Sequence, residues 1–180
     1  MTAIMQGVRI LEVAEHTFVP AASAALADLG AEVIKIEPIE RGDAMRGLAS
    51  TGVALVPNDI HVLLEHSNRG KKSLALDLNS EEGVEIVYQL AATADVFLTN
   101  KLPRVRTKLH IDVDDIRAHN PNIIYVRGTG QGDRGPDRDG VRPAPGERQR
   151  RAEHDGVRGA DRDVIDGQQA SAACPAHSGA

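Results

Sequence analysis

The chain has 180 residues, which is enough for one ordinary domain or for the front part of a larger one and too few for a multidomain machine. Its net charge of -5 provides no broad basic field, and only 2% of its residues are aromatic, so we expect no nucleic acid partner. The single cysteine, Cys174, excludes an intramolecular disulfide framework and a cysteine-rich zinc site, and we expect no bound metal. Residues 1–7 lack the pattern of a secretion signal, and no apolar run approaches the ~20 residues of a membrane span, so we expect a cytoplasmic protein without a membrane partner.

Aliphatic runs alternate with helical patterns along residues 8–127. Short runs rich in Val, Ile and Leu predict five buried strands, at Val8–Val13, Glu32–Glu37, Ser73–Leu78, Asp95–Thr99 and Ile123–Arg127. An Ala-rich segment predicts a helix at Pro20–Leu29, an apolar stripe at helical spacing predicts one at about Ser80–Ala92, and a short helix is expected at Val113–His119. Pro20 starts the first of these helices in this interpretation, Gly30 ends it, and Asn79 with Glu82 forms a capping box for the second. The order of elements predicts an α/β domain with an open, mostly parallel, Rossmann-like sheet.

The composition changes after residue 130. The last fifty residues contain no Leu, no Lys and no aromatic residue, and their only large aliphatic residues are Val141, Val157, Val164 and Ile165. Such a segment buries too little apolar surface to offset an ordering cost of roughly 1–2 kcal/mol per residue. We therefore expect this segment to be poorly ordered and to lack a core.

Open parallel sheets bind ligands at the carboxyl ends of their strands. That rule selects Ala14–Pro20, Glu37–Arg46, Leu76–Ser80 and Asn100–Lys108, each at or after the end of a predicted strand. Together these loops contain seven basic side chains: His16, Arg41, Arg46, Lys101, Arg104, Arg106 and Lys108. Such a set suits a phosphate-bearing small molecule, although the same residues also fit a merely solvated surface.

Other motifs point to no chemistry. The glycine-rich run at residues 128–132 lacks the spacing of a dinucleotide fingerprint and fits a flexible turn. His61, His66, His110 and His119 fit surface positions better than a metal site. Asn68–Lys72 is basic but short, and fits a solvated hairpin.

Six segments in register resemble the N-terminal part of the class III CoA-transferase family. They are GVRILE at 7–12, PAASAALADLGAEVIKIE at 20–37, GDAMR at 42–46, NRGKKSLALDL at 68–78, ADVFLTN at 94–100 and NPNIIYV at 120–126. The resemblance runs over about residues 6–139, with GQGDRGP at 130–136 as its last motif. It divides the chain into an incomplete coenzyme A-binding α/β domain at residues 1–139 and a poorly ordered tail at residues 140–180. It implies a cytosolic enzyme that acts on acyl-CoA and a small carboxylic acid, with coenzyme A as a substrate, no covalently bound cofactor and an interlocked homodimer.

The resemblance also implies which residues contact coenzyme A. They are His16, Thr17, Phe18, Arg46 near the diphosphate, Leu76, Asp77, Leu78, Asn79, Asn100, Lys101, Leu102 and Lys108. The chain departs from the family pattern at Pro38, where an Arg is often found. It departs again around Pro103, where Lys101 and Arg104 replace an aromatic residue and a glycine.

The family's catalytic group is an aspartate that forms acyl-anhydride and thioester intermediates. The candidate here is Asp163, in a DVIDG run that follows Arg162 instead of a glycine. A change of reading frame after residue 139 would account for the missing family motif. Two alternatives stay open at this point: a racemase of 2-methylacyl-CoA thioesters, in which an acid and a base exchange the α-proton, and a noncatalytic truncated fragment.

Overall fold

The computed structural model describes residues 3–49 and 60–129, which contain five strands and five α-helices. The strands are β1 Arg9–Val13, β2 Glu32–Pro38, β3 Lys72–Leu76, β4 Val96–Thr99 and β5 Ile124–Arg127. The helices are α1 Phe18–Asp28, α2 Val62–Asn68, α3 Glu81–Ala91, α4 Pro103–Lys108 and α5 Val113–His119, with a 3-10 helix at Ala44–Ala49. The expectations for residues 140–180, Asp163 and Cys174 lie outside the described residues.

All five strands are parallel and form one sheet in the order β3-β2-β1-β4-β5. In the register, Leu11 on the central strand lies between Ile34 of β2 and Phe97 of β4. The chain therefore proceeds outward in one direction from β1 and then crosses back to β4. The predicted α/β class and the open parallel sheet are confirmed.

Apolar side chains cover both faces of the sheet. On one face Leu11, Val13 and Phe97 pack with Val87 of α3 and Ile116 of α5. On the other face Ile10 and Ala14 pack with α1 through a set that includes Val19, Val33 and Leu98, and α2 lies against α1. Strands covered on both faces have few polar positions, which is why these strands are visible as aliphatic runs in the sequence.

Helix α1 begins two residues before the predicted start and ends where the sequence indicates. Thr17 occupies its N-cap position, so Pro20 lies in the first turn, where the missing N–H costs nothing. Gly30 has φ of 101° and donates to the Ala27 carbonyl, while Ala31 donates to the Leu26 carbonyl. This is a Schellman motif, and it confirms the prediction that Gly30 ends the helix.

Three short helices differ from the sequence expectations, and one predicted cap is wrong. The 3-10 helix, α2 and α4, each six or seven residues long, are absent from the predicted elements. The N-cap of α3 is Ser80, which accepts from the Gly83 N–H at 3.0 Å, and not Asn79. Asn79 instead donates to the Asp77 carboxylate in a turn that precedes the helix.

Candidate functional site

The loops that follow β1 and β4 meet at the carboxyl edge of the sheet, where the strand order reverses. The Asn100 side chain forms two hydrogen bonds with the Glu15 backbone: its Oδ1 accepts from the Glu15 N–H at 3.1 Å, and its Nδ2 donates to the Glu15 carbonyl at 2.7 Å. Thr99 extends the contact by donating from its buried hydroxyl to the Val13 carbonyl at 2.7 Å. The structure thus brings the predicted His16–Phe18 and Asn100–Leu102 segments together.

The first of these segments begins with an unusual backbone conformation. His16 has φ of 68°, the left-handed region that a non-glycine residue enters at a cost of about 1–3 kcal/mol. Its N–H donates to Asp43 Oδ1 at 2.9 Å, which supports the conformation. The His16 and Phe18 side chains are exposed, and Gly128 after β5 approaches this segment so closely that a methyl group there would overlap Val19.

Arg46 lies in the 3-10 helix and is paired with Glu37 at the end of β2. Its Nε and Nη2 donate to the two Glu37 oxygens, each at 3.0 Å, while its side chain remains about half exposed. Ser73 and the Asp43 N–H also donate to Glu37, at 2.8 and 2.7 Å. Burial alone would raise the pKa of Glu37, but these hydrogen bonds outweigh it and lower the pKa to about 2.

An open groove of about 290 Å³ lies beside this pair, at the carboxyl ends of β2 and β3. Its wall is formed by Glu37, Pro38, Ile39, Glu40, Arg41, Gly42, Arg46, Ser73 and Ala75. Ile39 is 65% exposed and provides an apolar surface next to two guanidinium groups. A surface of this kind can receive a molecule with both an apolar ring and phosphate oxygens.

Of the four predicted contact residues at the end of β3, two lie in the core and two are exposed. The Leu76 and Leu78 side chains belong to the core, so only their backbone groups can reach a ligand. Asp77 and Asn79 are exposed and hydrogen bonded to each other, and the Asn79 N–H lowers the pKa of the Asp77 carboxyl. The Leu76 carbonyl accepts from the Ile39 N–H at 3.3 Å, which fixes this loop against the groove.

The basic residues after β4 fall into two groups. Lys101 lies 2.9 Å from Glu15, whose other oxygen lies 3.4 Å from Arg41, so two cations share one carboxylate at the edge of the sheet. Arg106 does not line the edge, because it is buried and donates to Asp112 and to the Lys101 carbonyl. The expectation that Arg106 is a ligand-facing cation is wrong, whereas Lys108 is exposed at the end of α4.

Sequence reasoning missed a set of four charged side chains beneath this edge. We call Glu12, Lys35, Asp43 and Lys71 the buried charge cluster; their side chains are 0–2% exposed. Lys71 belongs to the 68–72 run, so the solvated-hairpin interpretation of that run is wrong. The sequence did contain a signal for this cluster. Side chains alternate along a strand, so Glu12 lies on the same buried face as Ile10 and Ala14.

The described part of the chain contains neither a cluster of metal ligands nor a membrane-spanning helix. Across residues 3–49 and 60–129, no group of three or more His, Cys, Asp or Glu side chains is arranged to hold a metal ion. No helix in the same ranges has the length and apolar character that crossing a bilayer requires.

Comparison with known proteins identifies the family. The sequence model of CoA-transferase family III matches residues 5–145, six residues beyond the expected end of the resemblance. The (R)-2-hydroxy-4-methylpentanoate CoA-transferase of Clostridioides difficile is 36% identical over 136 residues, which cover 76% of this chain and 34% of that protein. The succinyl-CoA:glutarate CoA-transferase of Mus musculus is 40% identical over 132 residues, which cover 73% of this chain and 29% of that protein.

Solved structures agree with the sequence comparisons. A crystal structure of the Mycobacterium tuberculosis protein described as a probable fatty acyl-CoA transferase superposes with a TM-score of 0.68 at 36% identity, covering 78% of this chain and 39% of that one. A CaiB/BaiF family protein from Brucella suis gives a TM-score of 0.67 at 33% identity, covering 76% and 36%. The chain spans about a third of the length of the relatives it matches. On the sequence match and the shared fold, the chain belongs to CoA-transferase family III.

Proposed function

We propose that residues 5–129 carry the coenzyme A-binding edge of a family III CoA-transferase, an enzyme that moves CoA between carboxylic acids. The observation that carries this proposal is the family match over residues 5–145, which includes all four loops at the carboxyl edge. The relatives named above act on different acyl groups, so the match supports CoA transfer without indicating the acyl group. We further propose a cytoplasmic homodimer that uses acyl-CoA and a small carboxylic acid.

The contacts at the edge support a place for the nucleotide part of coenzyme A. We place the diphosphate against the half-exposed guanidinium of Arg46, because phosphate oxygens form strong, charge-assisted hydrogen bonds with arginine. The adjoining groove, with the exposed side chain of Ile39, would receive the adenosine. Lys101 and the His16–Phe18 segment then lie along the path toward the middle of the sheet, where β1 and β4 end.

The proposed chemistry divides the transfer into steps. An aspartate attacks the acyl-CoA carbonyl carbon, the thioester bond breaks, and CoA leaves as the thiolate while an acyl anhydride forms on the enzyme. The thiolate then attacks the aspartyl carbonyl carbon of the anhydride, which releases the donor carboxylate and leaves an aspartyl-CoA thioester. The incoming carboxylate attacks this thioester, expels the thiolate and forms a second anhydride, and the thiolate attacks its acyl carbonyl carbon, which gives the new acyl-CoA and restores the aspartate. Residues at the edge would hold CoA in place between these steps. The candidate nucleophile, Asp163, lies outside the described residues.

The binding proposal can be tested with two matched arginine variants. Arg46 and Arg69 are both about half exposed, and each donates through Nε and Nη2 to one carboxylate, Glu37 and Asp28 respectively. Arg69 follows α2 and pairs with Asp28, the last residue of α1, so it lies toward the amino ends of the strands and away from the candidate site. We expect Arg46→Ala to weaken CoA binding about tenfold or more in isothermal titration calorimetry, and Arg69→Ala to leave it unchanged.

Three outcomes would oppose the proposal. Equal affinities for the wild type and Arg46→Ala, in protein whose circular dichroism shows it to be folded, would refute the placement of the diphosphate. Equal losses in the two variants would indicate a general electrostatic effect. For the reaction itself, an assay of CoA transfer that shows turnover unaffected by Asp163→Ala would exclude that residue as the nucleophile.

A further inference from the structure

The buried charge cluster lies directly beneath the proposed coenzyme A edge and has no role in the reaction described above. Its two carboxylates and two ammonium groups balance in charge, which is the condition under which charges are tolerated in a protein interior. Lys71 and Ser23 both donate to Oε2 of Glu12, and Lys35 donates to Oε1 at 2.9 Å. Lys35 is the member that links this group to the loops at the edge.

Lys35 contacts the loop after β1 and the turn after β2 at the same time. Its Nζ lies 2.7 Å from Asp43 Oδ2 and donates to the Ala14 carbonyl at 3.1 Å. Burial lowers the pKa of Lys35, but the charges of Glu12 and Asp43 outweigh burial and raise it. The ammonium group therefore stays charged and holds the buried Asp43 carboxylate in one orientation.

Asp43 passes this orientation on to the site. Its Oδ1 accepts from the His16 N–H at 2.9 Å and from the Met45 N–H at 2.8 Å. The first hydrogen bond supports the left-handed backbone of His16, and the second fixes the start of the 3-10 helix that carries Arg46. A single carboxylate thus sets the relative placement of two segments assigned to coenzyme A.

We propose that Lys35 is a positioning residue: through Asp43 it holds the His16 turn and the 3-10 helix in the arrangement that binds coenzyme A. The importance of this arrangement for binding rests on the proposed function, whereas the positioning itself can be measured without a ligand. The Lys35 side chain is buried beneath these loops and cannot reach a ligand, so it acts only through its partners.

Lys71 provides a control that separates positioning from general stability. It is as buried as Lys35 and pairs with the same carboxylate, at 2.7 Å from Glu12 Oε2. Its other partners are the Pro20 carbonyl, at 2.8 Å, and Asn68 in α2. Removing either ammonium leaves one buried negative charge in excess, but only the loss of Lys35 removes the partner of Asp43.

The test measures backbone amide exchange by NMR on the full chain, together with CoA affinity. For Lys35→Met we expect the His16 and Met45 amides to exchange at least tenfold faster relative to the Val33 and Leu98 amides of the sheet, and CoA to bind at least tenfold more weakly. For Lys71→Met we expect a lower melting temperature with the ratio of edge to sheet protection unchanged.

A second variant, Lys35→Met with Asp43→Asn, tests rescue. The neutral amide needs no ammonium partner and keeps an oxygen for both N–H groups, so we expect it to restore the protection of His16 and Met45. This variant leaves Glu12 and Lys71 as a neutral pair, so it decides the question even if Lys35→Met does not fold.

Any of three results would overturn the proposal. The edge amides could remain fully protected in folded Lys35→Met, Lys71→Met could show the same loss of edge protection, or the folded double variant could fail to restore it. If the wild type does not bind CoA, the proposed function fails, while amide exchange still decides the role of Lys35.

Discussion

Glu37→Gln changes the most heavily hydrogen-bonded carboxylate at the carboxyl edge. The Glu37 side chain is 6% exposed and accepts from Arg46, Ser73 and the Asp43 backbone. Burial opposes ionisation of this group, and the hydrogen bonds more than compensate, so the folded-state pKa is about 2 against an ordinary value of 4.5. The variant keeps the shape of the side chain and removes its charge.

The sign of the pH effect follows from this lowered pKa. Below pH 4.5 the unfolded chain takes up a proton at Glu37, whereas the folded chain takes it up only near pH 2. The stabilisation is therefore fully present above pH 4.5 and is lost as the pH falls through the interval to about 2. At 1.36 kcal/mol for each pKa unit the difference corresponds to about 3 kcal/mol, and we expect about 2 kcal/mol because the partner Arg46 is half exposed and screened by salt.

Urea unfolding of the wild type and Glu37→Gln between pH 2 and pH 7 measures this effect. Other carboxylates contribute to both curves, so the difference between the two free energies of unfolding isolates Glu37. We expect that difference to be constant above pH 5 and to decrease by about 2 kcal/mol on approach to pH 2. Ser73→Ala removes one of the hydrogen bonds to Glu37, so the folded-state pKa of Glu37 should rise and the pH interval over which stability is lost should become narrower. A difference that does not vary with pH would refute the reasoning.

Three further changes have expected outcomes. Gly83→Ala places a methyl group against the Asp77 carbonyl oxygen, so it should lower the free energy of unfolding in urea by about 2 kcal/mol, even though alanine favours helices. A variant more stable than the wild type would contradict this close contact. Phe97→Ala removes a fully buried ring that stacks on Tyr125 and should cost about 3–5 kcal/mol in the same assay, with a cost below 1 kcal/mol opposing the core assignment. Glu15→Gln removes the carboxylate shared by Lys101 and Arg41, so CoA should bind about fivefold more tightly at low salt, and unchanged calorimetric affinity would separate these cations from the site.

The strands could be predicted from the sequence because of where they lie. The three inner strands β2, β1 and β4 are mostly buried, and so they contain short aliphatic runs, whereas the edge strand β3 is largely exposed and was indicated by its Leu and Ala residues alone. Helix α5 was also predictable, since Asp112 and Asp115 form a capping box around its first turn. Long-range geometry was not needed for either prediction.

The short helices depend on contacts that local patterns do not show. Helix α2 is capped by His61, whose Nδ1 accepts from the Leu64 N–H, and histidine is not among the residues that normally indicate a helix start. Helix α4 has Pro103 at its first position, which is a usable helix-start signal, but its six residues contain no apolar stripe because Val105 is their one large aliphatic side chain. The 3-10 helix follows a turn that is held by Asp43 and Glu37.

The location of the candidate site could be predicted, but the partners of its charged residues could not. The rule for parallel sheets selects loops that the structure does place at the carboxyl edge, because strand ends are visible in the sequence. The sequence does not indicate which charged side chains pair with each other. Lys71 pairs with Glu12, which is 59 residues away in the chain, and Arg106 points inward to Asp112 instead of facing the edge. A basic residue in a loop can therefore belong to the interior, and only the folded arrangement shows which.

The pairing of charges at the edge bears on how a phosphate would bind there. Arg46 and Lys101, the cations that lie nearest to the ends of β2 and β4, each have a carboxylate partner in Glu37 and Glu15. A phosphate that approaches either cation therefore meets a nearly neutral pair and not a free positive charge. Binding must then depend on short-range hydrogen bonds to correctly placed donors more than on long-range attraction. Placement of the His16 turn and the 3-10 helix consequently matters more for affinity than the number of cations, and this is the property that Lys35 and Asp43 control from beneath the site.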